Sequence, residues 1–291
     1  MSTKSQPEVV IRVAAPDDSS VCGGICYEAF SHISAAHRFP CDFPNPDAAA
    51  GLLSMMFSSP GFFCVVAEAE GRVVGSNCLD ERSVIAGVGP ITIDPGAQNL
   101  RVGRKLMNAV IYRATERRAA GVRLVQAAYH NRSLSLYSSL GFDVREPLSC
   151  MQGRPLERNV PGCVVRPAQL ADLGVCNALS IRVHGFERGT ELTQAIEQNT
   201  AKVVERGGRI TGYATALAFF GHATTETNLD LQALIASEES FGGPGILVPS
   251  RNSALLRLCL ANGLRVVQPM TLMSMGLYND PAGAWLPSVL F

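Results

Sequence analysis

The sequence predicts an α/β (α+β) fold built from two related domains in tandem, each a mixed, mostly antiparallel twisted sheet flanked by helices. Three observations carry that expectation: an internal repeat, short runs with the two-residue alternation of strands, and one-sided apolar stripes at helical spacing between them. IRVAAPDDSSVC from Ile11 aligns without gaps with VRPAQLADLGVC from Val165, so Arg12, Asp18, Val21 and Cys22 match Arg166, Asp172, Val175 and Cys176 at a constant offset of 154. GFDVREPLSCM from Gly141 matches GLRVVQPMTLM from Gly263 at an offset of 122, and GRVVG at Gly71 resembles GRITG at Gly208. The polar stretch QGRPLERNVPG, residues 152–162, is the expected boundary, giving domains at 1–153 and 163–291.

Each half opens with a strand, Val9 to Val13 and Cys163 to Arg166, followed by an acidic helix start. FFCVVAEAE and VVGSNCL then form a hairpin about a Glu-Gly centre. A third strand, VGPITI, leads through Asp94-Pro95-Gly96 into a helix over 102–120, whose apolar stripe runs through Val102, Leu106, Met107, Val110, Ile111 and Ala114. Gly121 is read as the left-handed residue that stops this helix. A strand VRLVQAAY, a short helix over 133–140 and a strand VREPLSCM complete the unit.

With 47% hydrophobic residues, 17% charged residues and 25 basic against 25 acidic side chains, the chain gives no reason to expect nucleic acid or an anionic membrane as partner. A small molecule or a protein is the natural alternative. The polar start MSTKSQPEVV lacks the apolar core of a signal peptide and no segment is long and apolar enough to span a bilayer, so a cytoplasmic protein is expected. Nine cysteines, an odd number without a C-x-x-C pair, read as small reduced core residues.

The stretch AQNLRVGRKLM, residues 97–107, poses the functional question. A helix start exposes free N–H groups carrying about half a positive charge, and Gly103 lets a diphosphate approach them. Taken alone, the same stretch reads first as a strand-to-helix connection, with Gly103 a packing glycine and Arg101, Arg104 and Lys105 solvated surface charge.

The order of elements adds to this, because the first half resembles the GNAT superfamily of acyl-CoA N-acyltransferases. Its turn of Gln or Arg, two residues, Gly, one residue, Gly or Ala is similar to Gln98-Asn99-Leu100-Arg101-Val102-Gly103 after the strand ending at Pro95; Arg101 stands where the first glycine belongs. Its second motif is similar to HNRSLSLYSSLGF, through Asn131, Leu136-Tyr137 and Gly141-Phe142. The resemblance spans residues 9–153 and makes the fold expectation two tandem GNAT-like domains.

It implies acetyl-CoA as co-substrate, without a metal, its diphosphate lying on the backbone of Gln98, Asn99, Leu100, Arg101, Val102, Gly103, Arg104 and Lys105. Ile91, Thr92 and Ile93 would pair with the pantetheine arm, which Asn131 and Ser133 would also hold. Tyr137 would face the sulfur, first as hydrogen-bond donor to the departing thiolate and second as general acid. A phenol near ~10 is a weaker acid than a thiol near ~8.5, which favours the first role.

The proton of the attacking amine is less easily assigned. The strand VIAGVGPITI carries no carboxylate, so Asp80 and Glu81 in the preceding turn are the candidates for base, with His130 a third; water is a further route. SHISAAHRFPCDFPNPD gathers Phe39, Phe43 and three prolines into either a lip over the acceptor site or a cover for the core.

The second half keeps the opening strand, helix, hairpin and final strand but has no Gln-x-x-x-x-Gly. Its corresponding helix, with Asn228 as expected cap, begins acidic at Asp230, and Cys259 falls opposite Tyr137. It reads as a degenerate domain without a cofactor turn that completes the acceptor pocket, mediates a homodimer or stabilises the first half. The tail with the sole tryptophan, Trp285, is expected to pack across a domain surface. The leading function is acetyl transfer to a primary amine of a small molecule or peptide; the alternative is a non-catalytic acyl-CoA-binding or regulatory protein.

Overall fold

The computed structural model describes residues 8–97, 100–154, 156 and 160–290. The first half runs β1 (Val9–Val13), α1 (Ser19–His37), α2 (Pro46–Ser58), β2 (Phe62–Ala69), β3 (Arg72–Asp80), β4 (Ile85–Val88), β5 (Thr92–Ile93), α3 (Val102–Glu116), β6 (Gly121–Ala127), α4 (Asn131–Ser139) and β7 (Asp143–Gln152). The second runs β8 (Cys163–Pro167), α5 (Leu173–His184), α6 (Gly189–Glu197), β9 (Lys202–Arg206), β10 (Arg209–Ala214), β11 (Ala223–Thr225), α7 (Asn228–Ala236), β12 (Ile246–Pro249), α8 (Ser253–Ala261), β13 (Arg265–Gly276) and β14 (Ala284–Leu286). This is the mixed, mostly antiparallel α/β architecture expected.

The repeat is physical as well as textual. Arg12 pairs with Asp18 at 2.7 Å and Glu68 at 2.8 Å, and Arg166 repeats the triad with Asp172 and Glu205, both at 2.7 Å. In each half the arginine on the first strand ties the following helix start to the second strand. The β2–β3 hairpin turns at Glu70 (φ 52°) and Gly71 (φ 75°), and the β9–β10 hairpin repeats this at Gly207 and Gly208 (φ 61° and 75°). Two successive positive φ values match the right-handed twist of the flanking strands.

The halves are not closed units at 1–153 and 163–291. One sheet runs β1-β2-β3-β4-β6-β13-β7-β12, with β5 paired to β3; a second runs β14-β11-β10-β9-β8. The two final strands related by the 122-residue offset therefore lie side by side, antiparallel, from Arg265↔Gln152 to Ser274↔Asp143. β13 of the second half fills the gap between β6 and β7, while β7 of the first half fills the gap between β13 and β12. Each half completes the other's sheet.

Two local expectations change. Helix α3 ends at Glu116, and the left-handed residue after it is Arg118 (φ 55°), not Gly121, which is the first residue of β6. Gly121 is needed for a close approach: a Cβ there would lie 2.6 Å from the carbonyl oxygen of Leu277. Trp285 lies in a shared core with Phe219, Leu247 and Met270 rather than across a surface.

Candidate active site

Strand β4 pairs in parallel with β6 only from Ile85↔Gly121 to Gly87↔Arg123. After Val88 the chain follows β3 instead, through Gly75↔Ile93 and Ser76↔Thr92. The two strands part, and among the described residues 124–127 of β6 have no β partner on that side. A cavity of about 600 Å³ opens through this wedge, a size ordinary for a small-molecule site.

The wedge joins two faces of the sheet. Leu124 shares a core with Tyr137, Val102 and Leu106 on the α3–α4 side, whereas Val125 and Ala127 pack with Phe219 and Met270 on the other. On the α3–α4 side the cavity is lined by Ile93, Arg101, Gly103, Asn131, Ser133 and Tyr137. The structure thus brings most of the sequence-predicted groups to one place, including Ile91, Thr92 and Arg104.

Tyr137 is placed by its own motif. Gly141 (φ 97°) turns the chain after α4, the Phe142 N–H donates to the Tyr137 carbonyl at 3.1 Å, and the two rings meet edge to face at 6.3 Å. Burial pushes the phenol up to about 12, with a Ser133 hydrogen bond acting against it. Ser133 also bonds the His130 Nδ1 at 2.5 Å, and burial lowers the His130 pKa.

At the start of α3, Gln98 and Asn99 lie outside the described residues. Arg101 is the N-cap with φ 59° and contributes no side-chain cap bond. A left-handed backbone there is what a glycine would supply without strain. Gly103 sits against Ile93 and Leu136, where a Cβ would meet their methyl carbons at 3.1 and 3.3 Å. Arg104 donates to Ser139 at 2.7 Å, and Lys105 is tied to the Val9 carbonyl at 2.8 Å, so its ammonium points to β1 rather than to the turn. Val102 is fully buried, so only its backbone is available to a ligand, and Leu100 is partly buried against the core.

The carboxylates expected as base are elsewhere. Asp80 is held by Arg82. Glu81 pairs with Arg113 at 2.7 Å and Arg117 at 3.4 Å, and lines a different cavity between the two halves. Strand β3 runs past the wedge before its turn, which carries both carboxylates away from it.

The carboxylate that does line the wedge is Asp42, in the segment between α1 and α2. It accepts from Gln268 Nε2 at 2.9 Å, and Gln268 Oε1 in turn accepts from the Tyr129 hydroxyl at 3.1 Å. Gln268 is 1% exposed and comes from β13 of the second half. Burial raises the Asp42 carboxyl to about 6, partly offset by the Gln268 bond. The aromatic and proline content of this loop was visible in sequence; the carboxylate's position was not, since it depends on a partner 226 residues away. Gln126 was also missed: its amide is 5% exposed, lines the cavity, and has neither nitrogen nor oxygen hydrogen-bonded.

The second half offers no comparable helix start. Helix α7 is capped by Thr227, not Asn228, and Asp230 accepts from the Thr227 N–H at 3.0 Å and pairs with Arg206 at 2.8 Å. Its buried carboxylate occupies the end an anion would use. Cys259, opposite Tyr137 in the repeat, is fully buried and its thiol is pushed up to about 11 by desolvation.

Residues 13–142, which include the wedge strands, the start of α3 and the buried tyrosine, match the family model of the Acetyltransferase (GNAT) family. Over that span the first half of the chain is similar to GNAT acetyltransferase domains. A Pyrococcus horikoshii structure assigned as an acetyltransferase aligns at TM-score 0.70 with 16% identity, covering 95% of this chain and 94% of that one. A GCN5-related N-acetyltransferase from Sphaerobacter thermophilus aligns at 0.63 with 16% identity, over 96% and 100%. A tandem GNAT protein from the clavulanic acid biosynthesis pathway aligns at 0.55 with 14% identity, over 97% and 100%. At these identities the likeness is one of fold, and it extends over both halves. No curated protein matches the chain in sequence. Among the described residues no helix is long and apolar enough to cross a membrane.

Proposed function

We propose that the chain transfers acetyl from acetyl-CoA to a primary amine by direct attack, with one donor site per chain, in the first half. The observation that supports this best is the single cavity through the wedge, which joins the α3 helix start and Tyr137 on one face to Asp42 on the other. A donor thioester and an acceptor amine can meet there from opposite sides of the sheet.

The residues present suit the donor. The backbone N–H groups at the start of α3, beside Gly103, form an anion-binding end for a diphosphate. The unpaired amide of Gln126 and the side chain of Asn131 suit the amides of a pantetheine arm, since a buried polar group without a partner costs about 1–3 kcal/mol until one arrives. A backbone N–H of Ile91 to Ile93 would stabilise the charge that develops on the thioester oxygen.

In the transfer, the amine nitrogen bonds to the acetyl carbon and the carbon–sulfur bond breaks. Asp42, ionised at neutral pH, holds the ammonium and takes one proton from it, which frees the nitrogen lone pair for attack; the second proton, lost from nitrogen once the new bond has formed, goes to the departing thiolate through water. Tyr137 donates a hydrogen bond to the departing thiolate. With the phenol near 12 and a thiol near ~8.5, full proton transfer would run uphill by about 5 kcal/mol, so it acts as donor rather than acid. The test is thiol release over an amine panel. Tyr137→Phe is expected to slow release about tenfold to a hundredfold while acetyl-CoA still binds; a variant as fast as wild type would remove the tyrosine from the reaction.

A further inference from the structure

We propose that the acceptor is a small monoamine with an aromatic or branched aliphatic body, carrying no carboxylate and no second cationic centre, and that the second half supplies half of the wall that recognises it. This rests on the acyl-transfer reading of the same cavity. The acceptor face of the wedge is an aromatic row that crosses from one half to the other. Phe30 meets Phe43 edge to face at 5.7 Å, Phe43 meets Phe220 at 6.2 Å, and Phe220 meets Phe219 edge to face at 5.6 Å. Val289 and Leu290, from the tail after β14, add to the same wall.

The charges are segregated. Among the described residues lining the cavity there is no lysine, and the arginines are Arg101, Arg104 and Arg132, at the starts of α3 and α4 on the donor face. The acceptor face has no guanidinium to receive a carboxylate; its other ionisable groups include His32 and His37 on α1, and Asp42 repels a carboxylate placed beside it. It has one carboxylate, Asp42, held by Gln268, which Tyr129 bonds in turn; this suits one ammonium and leaves a second one desolvated against aromatic rings. Apolar area is the remaining source of affinity. The aromatic edges and the aliphatic tail residues therefore set the body of the substrate, and the single carboxylate sets its charge.

Phe220 is the residue to change, because it is 39% exposed and its loss does not empty a core. Thiol release from acetyl-CoA is measured with 2-phenylethylamine, isoamylamine, spermidine and phenylalanine, the last differing from the first by its carboxylate. Acetyl-CoA binding is measured separately by calorimetry for wild type and Phe220→Ala. The expected result is a kcat/KM for the two monoamines at least about tenfold above that for spermidine or phenylalanine. Phe220→Ala should raise the KM for 2-phenylethylamine by about tenfold, more than it lowers kcat, with acetyl-CoA affinity unchanged. Spermidine or phenylalanine as the preferred acceptor, an unmoved KM, or acetyl-CoA binding with turnover of none of the four amines would overturn the inference and leave the donor site standing. Absence of acetyl-CoA binding would overturn the donor reading itself, and this inference with it.

Discussion

Asp42 carries the most specific chemical expectation at the scale of single residues. Desolvation raises its carboxyl to about 6, so the basic form is present above that pH and is lost below it. The rate at subsaturating amine should fall about tenfold per pH unit below that midpoint. Tyr129, Cys26 and Cys150, whose charges would act on Asp42, are all pushed up and stay neutral through this range. His130 is pushed down and also lines the cavity, so pH–rate profiles of Asp42→Asn and His130→Asn separate the two. The acid limb should vanish in the first, with a loss of about a hundredfold at pH 8, and persist in the second. Arg101 is a second such residue. Its φ of 59° is what an L side chain adopts at a cost of about 1 kcal/mol, so Arg101→Gly should raise the melting temperature by about 2 °C in a calorimetric scan. A lowered melting temperature would mean that the guanidinium does more for the fold than the strain takes away.

Elements were legible in the sequence where the signal is local. The Glu-Gly hairpin, the stripe on α3 and the run from Asn131 to Phe142 depend on residues within a few turns of each other, and each sits where its pattern put it. Gly121 shows where locality fails. Read as a helix stop, it is instead the point where β6 passes the Leu277 backbone with no room for a side chain. Gly121→Ala should destabilise the protein by about 2 kcal/mol or more in chemical denaturation. The carboxylates expected as base lie away from the wedge for the same reason. Asp80 and Glu81 are near β5 in sequence, yet arginines pair with them away from the wedge. Asp42, which lines the wedge, is hydrogen-bonded there by Gln268 of β13.

For the whole molecule, the repeat foretold two like halves but not their exchange of strands. Strand identity is local; strand pairing is not, and nothing in either copy of the final strand says which sheet it will enter. The consequence is that the first half should not stand alone. Residues 8–153 without β13 would leave β6 and β7 unpaired along the edges that β13 joins, so the fragment is expected to show no cooperative thermal transition by circular dichroism. A cooperative transition would mean that β7 can close onto β6 by itself. The exchange also accounts for a second half that keeps the fold without the turn: it provides a strand to the first half's sheet, Gln268 behind Asp42, and part of the cavity wall.

The claim on which the rest depends is that one chain binds one acetyl-CoA, at the start of α3. Titration calorimetry of the full chain, wild type and Gly103→Asp, tests it directly, because the added carboxylate opposes a diphosphate at that helix end. The predicted result is one site per chain with a micromolar-range dissociation constant, weakened about tenfold or more in the variant while its melting temperature shows it folded. No binding, two equivalent sites, or an affinity indifferent to the substitution would contradict it.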